Sequence, residues 1–303
     1  MNKPIRKLLK KLRVFNNFFE SIVKRWPTSG VVNCEFENLS FKLYNRCDDG
    51  LVNFFYYNLK YHELADLKLF VYLYKFSSSI IDFGANIGFF SILSAKVNPQ
   101  SVIYSFEPYF ANSTRMKFNL KLNEISNVYV IEQALGDKNC EIEIIVPENN
   151  SITYACSVNN DFSINLYPQF KWKKVSIPMT TLDSFAANLD RKIDLIKCDV
   201  ETFEMEVFRG GFELLKLHKP TIICETFLDE ERIIFFNSIL VEFCYYVYFI
   251  LDQGIVYSRE GIVSSYAGLN YLFTPIKPIR SYISFKEENF LAKQLLFRPS
   301  EKK

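Results

Sequence analysis

From residue 79 onward, short apolar runs alternate with amphipathic ones. The runs are 80–83 then 89–97, 102–106 then 112–122, 128–133, and, past a long interruption, 195–198 then 203–217, and 222–224 then 230–243. The short runs have the length of buried strands, and the others carry apolar residues at helical spacing. Strands alternating with helices predict βαβ units, hence a parallel sheet covered on both faces. Right-handed crossovers put the C-terminal ends of such strands on one edge, where ligands of these sheets bind. Residues 245–251 and 270–274 supply closing strands. The stretch 138–192 is too long for a plain connection, and its alternation ("EIEIIV", "KKVSIPM") predicts extra strands over the ligand edge.

Upstream, residues 1–26 set Ile5, Leu8, Leu9, Leu12, Phe15, Phe19, Ile22 and Trp26 at helical spacing, with Lys3, Arg6, Lys7, Lys10, Lys11, Arg13, Lys24 and Arg25 around the single acid Glu20. Such a helix either packs its stripe on the main body, the reading favoured here, or lies on an anionic membrane surface. Residues 31–57 alternate and turn like a small antiparallel piece, and 61–74 read as a helix. The organisation is an N-terminal extension over 1–60, a main domain over 61–280 with a β insertion at 138–192, and a tail over 281–303.

The composition, 49% hydrophobic and 23% charged, is that of an ordinary globular chain. The net charge of +2 is concentrated in the first segment and the remainder is net acidic, which argues against a nucleic-acid partner. No apolar run approaches the ~20 residues of a membrane span. The 7 cysteines are odd in number and lack C-x-x-C spacing or a histidine cluster, so thiols in a cytoplasm and no metal are expected. The expected location is cytoplasmic, with peripheral inner-membrane contact through residues 1–26 as the variant.

The candidate chemistry begins at residues 80–91, "IIDFGANIGFFS", a strand, a glycine turn and a helix. Gly84 lets the backbone bend, and Gly88 allows close approach at the helix start. The pattern is G-x-x-x-G, not the dinucleotide G-x-G-x-x-G, and Asp82 would repel a pyrophosphate but suits an ammonium or sulfonium. Glu107 ends the second strand roughly 20 residues on, where one carboxylate binds a ribose diol. After the third strand, Gln133 is placed to meet an adenine amine, with Ala134 beside it; Asp137 reads as a turn residue. Asn119 is a candidate support for the cofactor loop, and Asn123 reads as a surface residue near a helix end. "DLIKCDVETFE" puts Asp199, Glu201 and Glu204 beyond the fourth strand, more acid than solubility requires, and Glu225 ends the fifth. Asp199 would face the reacting centre, Glu201 would start the next helix, and Glu204 reads as structural. The only histidines are His62, read as structural with a base role as the alternative, and His218, read as a cation favoured by a helix C-terminus.

Taken together, "IIDFGANIGFFS", "FEP", "ALGD", "TLDSF", "DLIKCDVE" and "IICE", in this order over about residues 63–225, resemble the FkbM family of class I S-adenosylmethionine-dependent methyltransferases. The resemblance implies a Rossmann-like α/β fold, a seven-stranded, mostly parallel sheet with an antiparallel final strand and helices on both faces. It implies S-adenosylmethionine as cofactor and O-methylation of a sugar or natural-product hydroxyl, in a polysaccharide, glycolipid or small molecule. Carried over residue by residue, Asp82, Gly84, Ala85, Asn86 and Gly88 would hold the methionine part of the cofactor. Glu107 would hold the ribose, Gln133 and Ala134 the base, and Asp199 both cofactor and acceptor, with Glu201 and Glu225 as further catalytic acids. The family usually continues D-V-E-G, whereas Thr202 follows Glu201 here. Three alternatives stay open: an NAD-dependent oxidoreductase, which would share the turn and Glu107; a nucleic-acid methyltransferase, which would share the cofactor site; and a non-catalytic module with a relic cofactor site.

Overall fold

The computed structural model describes residues 28–57, 64–148, 164–165, 168, 170–251, 253–263, 270–287 and 295–296. The helix expected over 1–26, His62 and Cys156 lie outside the described residues.

The first elements are β1 (Ser29–Phe36) and β2 (Leu39–Arg46), an antiparallel hairpin that buries alternate side chains such as Val32, Cys34, Phe41 and Leu43. The antiparallel text was expected to run to residue 57, but a helix α1 (Gly50–Tyr57) takes over. Asp49 starts it by accepting the Val52 N–H at 3.0 Å, and Val52 and Phe55 fall on one buried side. Then come α2 (Leu64–Tyr74), β3 (Ser79–Phe83), α3 (Phe89–Val97), β4 (Val102–Phe106), α4 (Phe110–Leu122) and β5 (Val128–Ile131). The insertion supplies β6 (Ala134–Gly136), β7 (Cys140–Pro147) and β8 (Trp172–Thr181), and α5 (Leu182–Ala186) follows. The chain returns through β9 (Leu195–Cys198), α6 (Glu204–Arg209), α7 (Phe212–His218), β10 (Thr221–Glu225) and α8 (Glu230–Glu242). It closes with β11 (Tyr246–Leu251), β12 (Gly254–Ser258), β13 (Asn270–Thr274) and β14 (Tyr282–Ser284).

The main sheet has the order β14-β12-β11-β13-β10-β9-β3-β4-β5. Strands β5, β4, β3, β9 and β10 are parallel neighbours, and β13 runs antiparallel between β10 and β11. The expected count of seven, mostly parallel, is corrected to nine among the described residues: β12 and β14 extend the sheet, and the pairings from β10 outward are antiparallel. A hairpin pairing Leu251 with Gly254 adds β12, which was not among the expected closing strands. Helices cover both faces, as expected. Ile80, Ile103, Leu195 and Leu272 pack with Leu69, Phe70, Ile92 and Leu93 of α2 and α3 and with the β1–β2 hairpin. Their neighbours Ile81, Phe83, Ile196 and Ile222 pack on the opposite face with Phe208, Leu214, Phe236 and Ile239 of α6, α7 and α8.

The single helix expected over 203–217 is two. At the break, a Cβ on Gly210 would stand 2.0 Å from the Gly136 carbonyl oxygen, so the bare glycine lets the insertion sheet approach. That sheet, ordered β6-β8-β7, encloses a third core of Tyr109, Ala134, Ile144, Val146, Ile177 and Met179, with Phe203 against it. Tyr109 and Phe203 lie just past β4 and β9, so the insertion sits beside the carboxyl edge. No helix among the described residues is long and apolar enough to cross a membrane.

Candidate active site

Parallel register brings residues remote in sequence to one edge. There β3 delivers Asp82, β4 runs into Glu107, β9 into Asp199, and β10 ends on Glu225.

The turn after β3 closes hard on β9. Gly84 has φ +69°, and a Cβ there would stand 1.8 Å from the Asp199 carbonyl oxygen, a space only glycine leaves. Buried Ala85 ties the turn to β4 by donating its N–H to the Phe106 carbonyl at 3.0 Å. Gly88, at φ +85°, caps α3, and a Cβ would press on Met116 of α4. Asn86 takes φ +50°, and its N–H donates to Glu107 Oε2 at 2.8 Å. Its side-chain Oδ1 is buried and has no hydrogen-bond partner among the described residues.

Glu107 is 5% exposed. Its Oε1 accepts the Tyr109 N–H at 2.9 Å and a long contact from Asn112 Nδ2 at 3.5 Å. Burial pushes its carboxyl up to about 7, against the pull of the Tyr109, Asn86 and Asn112 donors. A carboxylate held by backbone N–H groups keeps lone pairs for two further donors, which a vicinal diol supplies.

Asp82 is 2% exposed and accepts the Ser91 hydroxyl at 2.5 Å through Oδ2. Its Oδ1 has no hydrogen-bond partner among the described residues, although Lys197 Nζ lies 3.7 Å away. Burial raises its carboxyl above the ordinary range; Lys197 and Ser91 pull it back. The same Nζ donates to Asp199 Oδ2 at 3.0 Å and stands 4.8 Å from the Phe90 ring centroid. Burial favours the neutral amine, yet Asp199 and Asp82 outweigh it and hold Lys197 charged well above the usual lysine range. Lys197 is absent from the sequence-based candidates. Its signal is a lysine inside the otherwise apolar strand "LIKC", which needs a partner to be buried.

Beyond β9, Asp199 is partly exposed and Glu201 half-buried at φ +51°. Burial pushes the Glu201 carboxyl up to about 8, with the Asp199 and Glu204 charges adding and Lys197 opposing. Glu204, expected to be structural, is 1% exposed; its Oε1 accepts the Thr202 N–H at 2.9 Å and its Oε2 the Thr226 hydroxyl at 3.3 Å. Burial lifts its carboxyl to about 7. Glu225 is half-buried and adds to the field that keeps Lys197 charged.

Other candidates fall elsewhere. Gln133 is half-buried on the link from β5 to β6, Ala134 belongs to the insertion core, and Asp137 is exposed. Asn119 does support the turn, donating to the Ile87 carbonyl at 2.9 Å. Asn123 is not a surface residue: it is 7% exposed and pairs with both backbone groups of Lys42 in β2. His218 is not a helix-end cation: its Nδ1 accepts the Ile193 N–H at 3.1 Å, and burial, then Lys192, lower its pKa. Among the described residues no group of His, Cys, Asp and Glu is arranged to hold a metal.

"Methyltransferase 1" of Beauveria bassiana (strain ARSEF 2860) is 26% identical over 178 residues, 55% of this chain and 65% of its own length. "Methyltransferase sdnD" of Sordaria araneosa is 29% identical over 154 residues, 43% of this chain and 59% of its own. The chain thus spans less than two thirds of either relative. The crystal structure of methyltransferase FkbM from Methylobacillus flagellatus KT aligns over 75% of this chain and 55% of its own, at 16% identity and a TM-score of 0.41. The Methyltransferase FkbM domain family matches residues 82–250, from the first carboxylate of the site to β11. That span is more than half of the sequence, and the chain belongs to the FkbM methyltransferase family.

Proposed function

We propose that this protein is an S-adenosylmethionine-dependent O-methyltransferase acting on a sugar or small-molecule hydroxyl. The observation that carries the reading is the pairing of two buried carboxylates at one edge: Glu107, held by the Asn86 and Tyr109 N–H groups, and Asp82, whose Oδ1 has no hydrogen-bond partner among the described residues and has Lys197 Nζ 3.7 Å away. When bound, the cofactor supplies an electrophilic methyl group on a sulfonium. The fit rests on the donor set. Glu107 takes the ribose hydroxyls, while Asp82 and the orphaned Asn86 Oδ1 offer acceptors to an ammonium group. Gly84 and Gly88 let the backbone turn without a side chain in the way.

The chain's remaining work is to orient the acceptor oxygen, exclude water and take up the hydroxyl proton. Asp199 is assigned the proton, because it is partly exposed and Lys197 fixes its carboxylate at 3.0 Å. Glu201 and Glu225 are the alternative bases. Asp82 beside the turn disfavours a pyrophosphate and with it the oxidoreductase reading. A sugar acceptor, no nucleic acid, and membrane contact through residues 1–26 complete the proposal; liposome co-sedimentation with and without that segment decides the last.

Calorimetric titration with S-adenosylhomocysteine and with NAD tests the cofactor. Micromolar binding of the nucleoside and none of NAD is expected, and the reverse overturns the reading. With labelled S-adenosylmethionine and a panel of monosaccharides and glycosides, Asp199→Asn is expected to lose about 100-fold or more in turnover. It should still bind S-adenosylhomocysteine; full turnover would remove Asp199 from the role.

A further inference from the structure

The chain leaves β9 through two consecutive residues in the left-handed region, Glu201 at φ +51° and Thr202 at φ +75°. Thr202 is the anomaly. A β-branched residue at positive φ is a steric outlier that persists only where its surroundings over-determine it. Glycine would adopt the same turn without cost.

The surroundings hold both peptide groups of this one residue. The Thr202 N–H donates to Glu204 Oε1 at 2.9 Å, and the other oxygen of Glu204 is fixed by the Thr226 hydroxyl, just past β10. The Thr202 carbonyl accepts from Arg232 Nη2 at 2.9 Å, and Arg232 is itself paired with Asp229, the N-cap of α8. Thr202 is 9% exposed and Glu204 1%, so the turn is shielded from water, and the Arg232 bond is charge-assisted. A turn needed only to reverse the chain calls for none of this.

We propose that Arg232 and Glu204 form a clamp that holds the strained Glu201–Thr202 turn and thereby aims the Glu201 carboxylate at the sulfonium end of the cofactor pocket. The proposal rests on the cofactor reading above. Arg232 and Glu204 are positioning residues in it, acting through Glu201. The charged groups acting on Glu201 include Asp199 at the same edge, Glu204 of α6 and Lys197 of β9. Asp82 and Glu225 flank Lys197, and Arg232 lies behind Thr202.

The test titrates the full-length protein with S-adenosylmethionine and S-adenosylhomocysteine from about pH 6 to about pH 9. The two ligands differ in charge at sulfur and share the ribose, so their affinity ratio isolates carboxylates facing sulfur and cancels Glu107. In the wild type the ratio is expected to rise on the order of tenfold as Glu201 ionises, and Glu201→Gln removes the rise. Arg232→Met flattens it, and adding Thr202→Gly restores it, because glycine holds positive φ without a clamp. Thr202→Gly alone raises Tm by about 2–4 °C. An unchanged rise in Arg232→Met, no restoration in the double variant, or a lower Tm for Thr202→Gly overturns the clamp. Should Arg232→Met fail to fold, Thr202→Gly decides alone: a higher Tm with the rise retained supports the clamp, and a lower Tm overturns it. If the wild type binds neither ligand, the cofactor reading fails, and Tm decides the clamp separately. Arg232→Met costing less in the Thr202→Gly background supports it; equal cost overturns it.

Discussion

At Lys197 one ammonium serves two acids from different strands, 3.0 Å from Asp199 and 3.7 Å from Asp82, with 5% of its side chain exposed. Asp82 and Lys197 lie opposite each other in the β3–β9 register, so the pair exists only once those strands are neighbours. Removing the cation strands buried negative charge. Lys197→Met is expected to cost about 3–5 kcal/mol of stability at pH 8. The cost should be smaller when measured at about pH 5.5, because burial already raises the Asp82 carboxyl and lower pH favours its protonation once the cation is gone. Urea denaturation at both pH values checks this, and an equal cost at both would remove Asp82 from the explanation. Asp82, Glu107, Asp199 and Glu225 were legible in the sequence because each is a carboxylate at the end of an apolar run. Lys197 sits mid-run, where its chemistry depends on a partner strand that the local text does not name.

Between elements, α4 acts as an added strand for the β1–β2 hairpin. Asn123 accepts the Lys42 N–H at 2.9 Å and donates to the Lys42 carbonyl at 2.7 Å, while one turn earlier Asn119 accepts the Tyr44 N–H at 2.8 Å. The i, i+4 spacing on the helix thus meets the i, i+2 spacing of the strand. A buried ion pair between Arg115 of α4 and Asp48, with side chains 3% and 4% exposed, fixes the other end of the contact. Asn119 also holds the Ile87 carbonyl, so the hairpin and the glycine turn after β3 share one support. Asn123→Ala leaves the Lys42 backbone groups unpaired and is expected to cost about 1–3 kcal/mol. It should make the hairpin the first site of limited proteolysis; wild-type resistance would show the docking to be carried elsewhere. From the sequence Asn123 reads as a surface residue because helix ends are commonly polar, and only the docked hairpin makes it a pairing group. The α6–α7 break has the same origin: Gly210 is needed because Gly136, remote in sequence, lies against it.

For the molecule as a whole, the site stores carboxyls that prefer to be protonated in the absence of ligand: Glu107 and Glu204 at about 7 and Glu201 at about 8. Each is raised above its unfolded value, so between about pH 4.5 and 8 the folded state binds more protons than the unfolded. Stability of the ligand-free protein is therefore expected to fall as pH rises through that window, with Tm higher near pH 6 than near pH 8.5. A flat or opposite Tm profile by calorimetry would show these groups to be solvated. Binding should reverse the preference at Glu107, since a diol donates to the ionised form. The sequence by itself determined the strand–helix alternation, the parallel sheet with two covered faces, and the acids at its strand ends, because hydrophobic period and strand-terminal residue type are local properties. Tertiary structure alone decided the nine-strand count, the Lys197 bridge, the Asn123 docking and the Arg232–Glu204 grip on Thr202. Those depend on which strands and helices become neighbours, and a buried charge or a strained φ acquires meaning only from the partner that faces it.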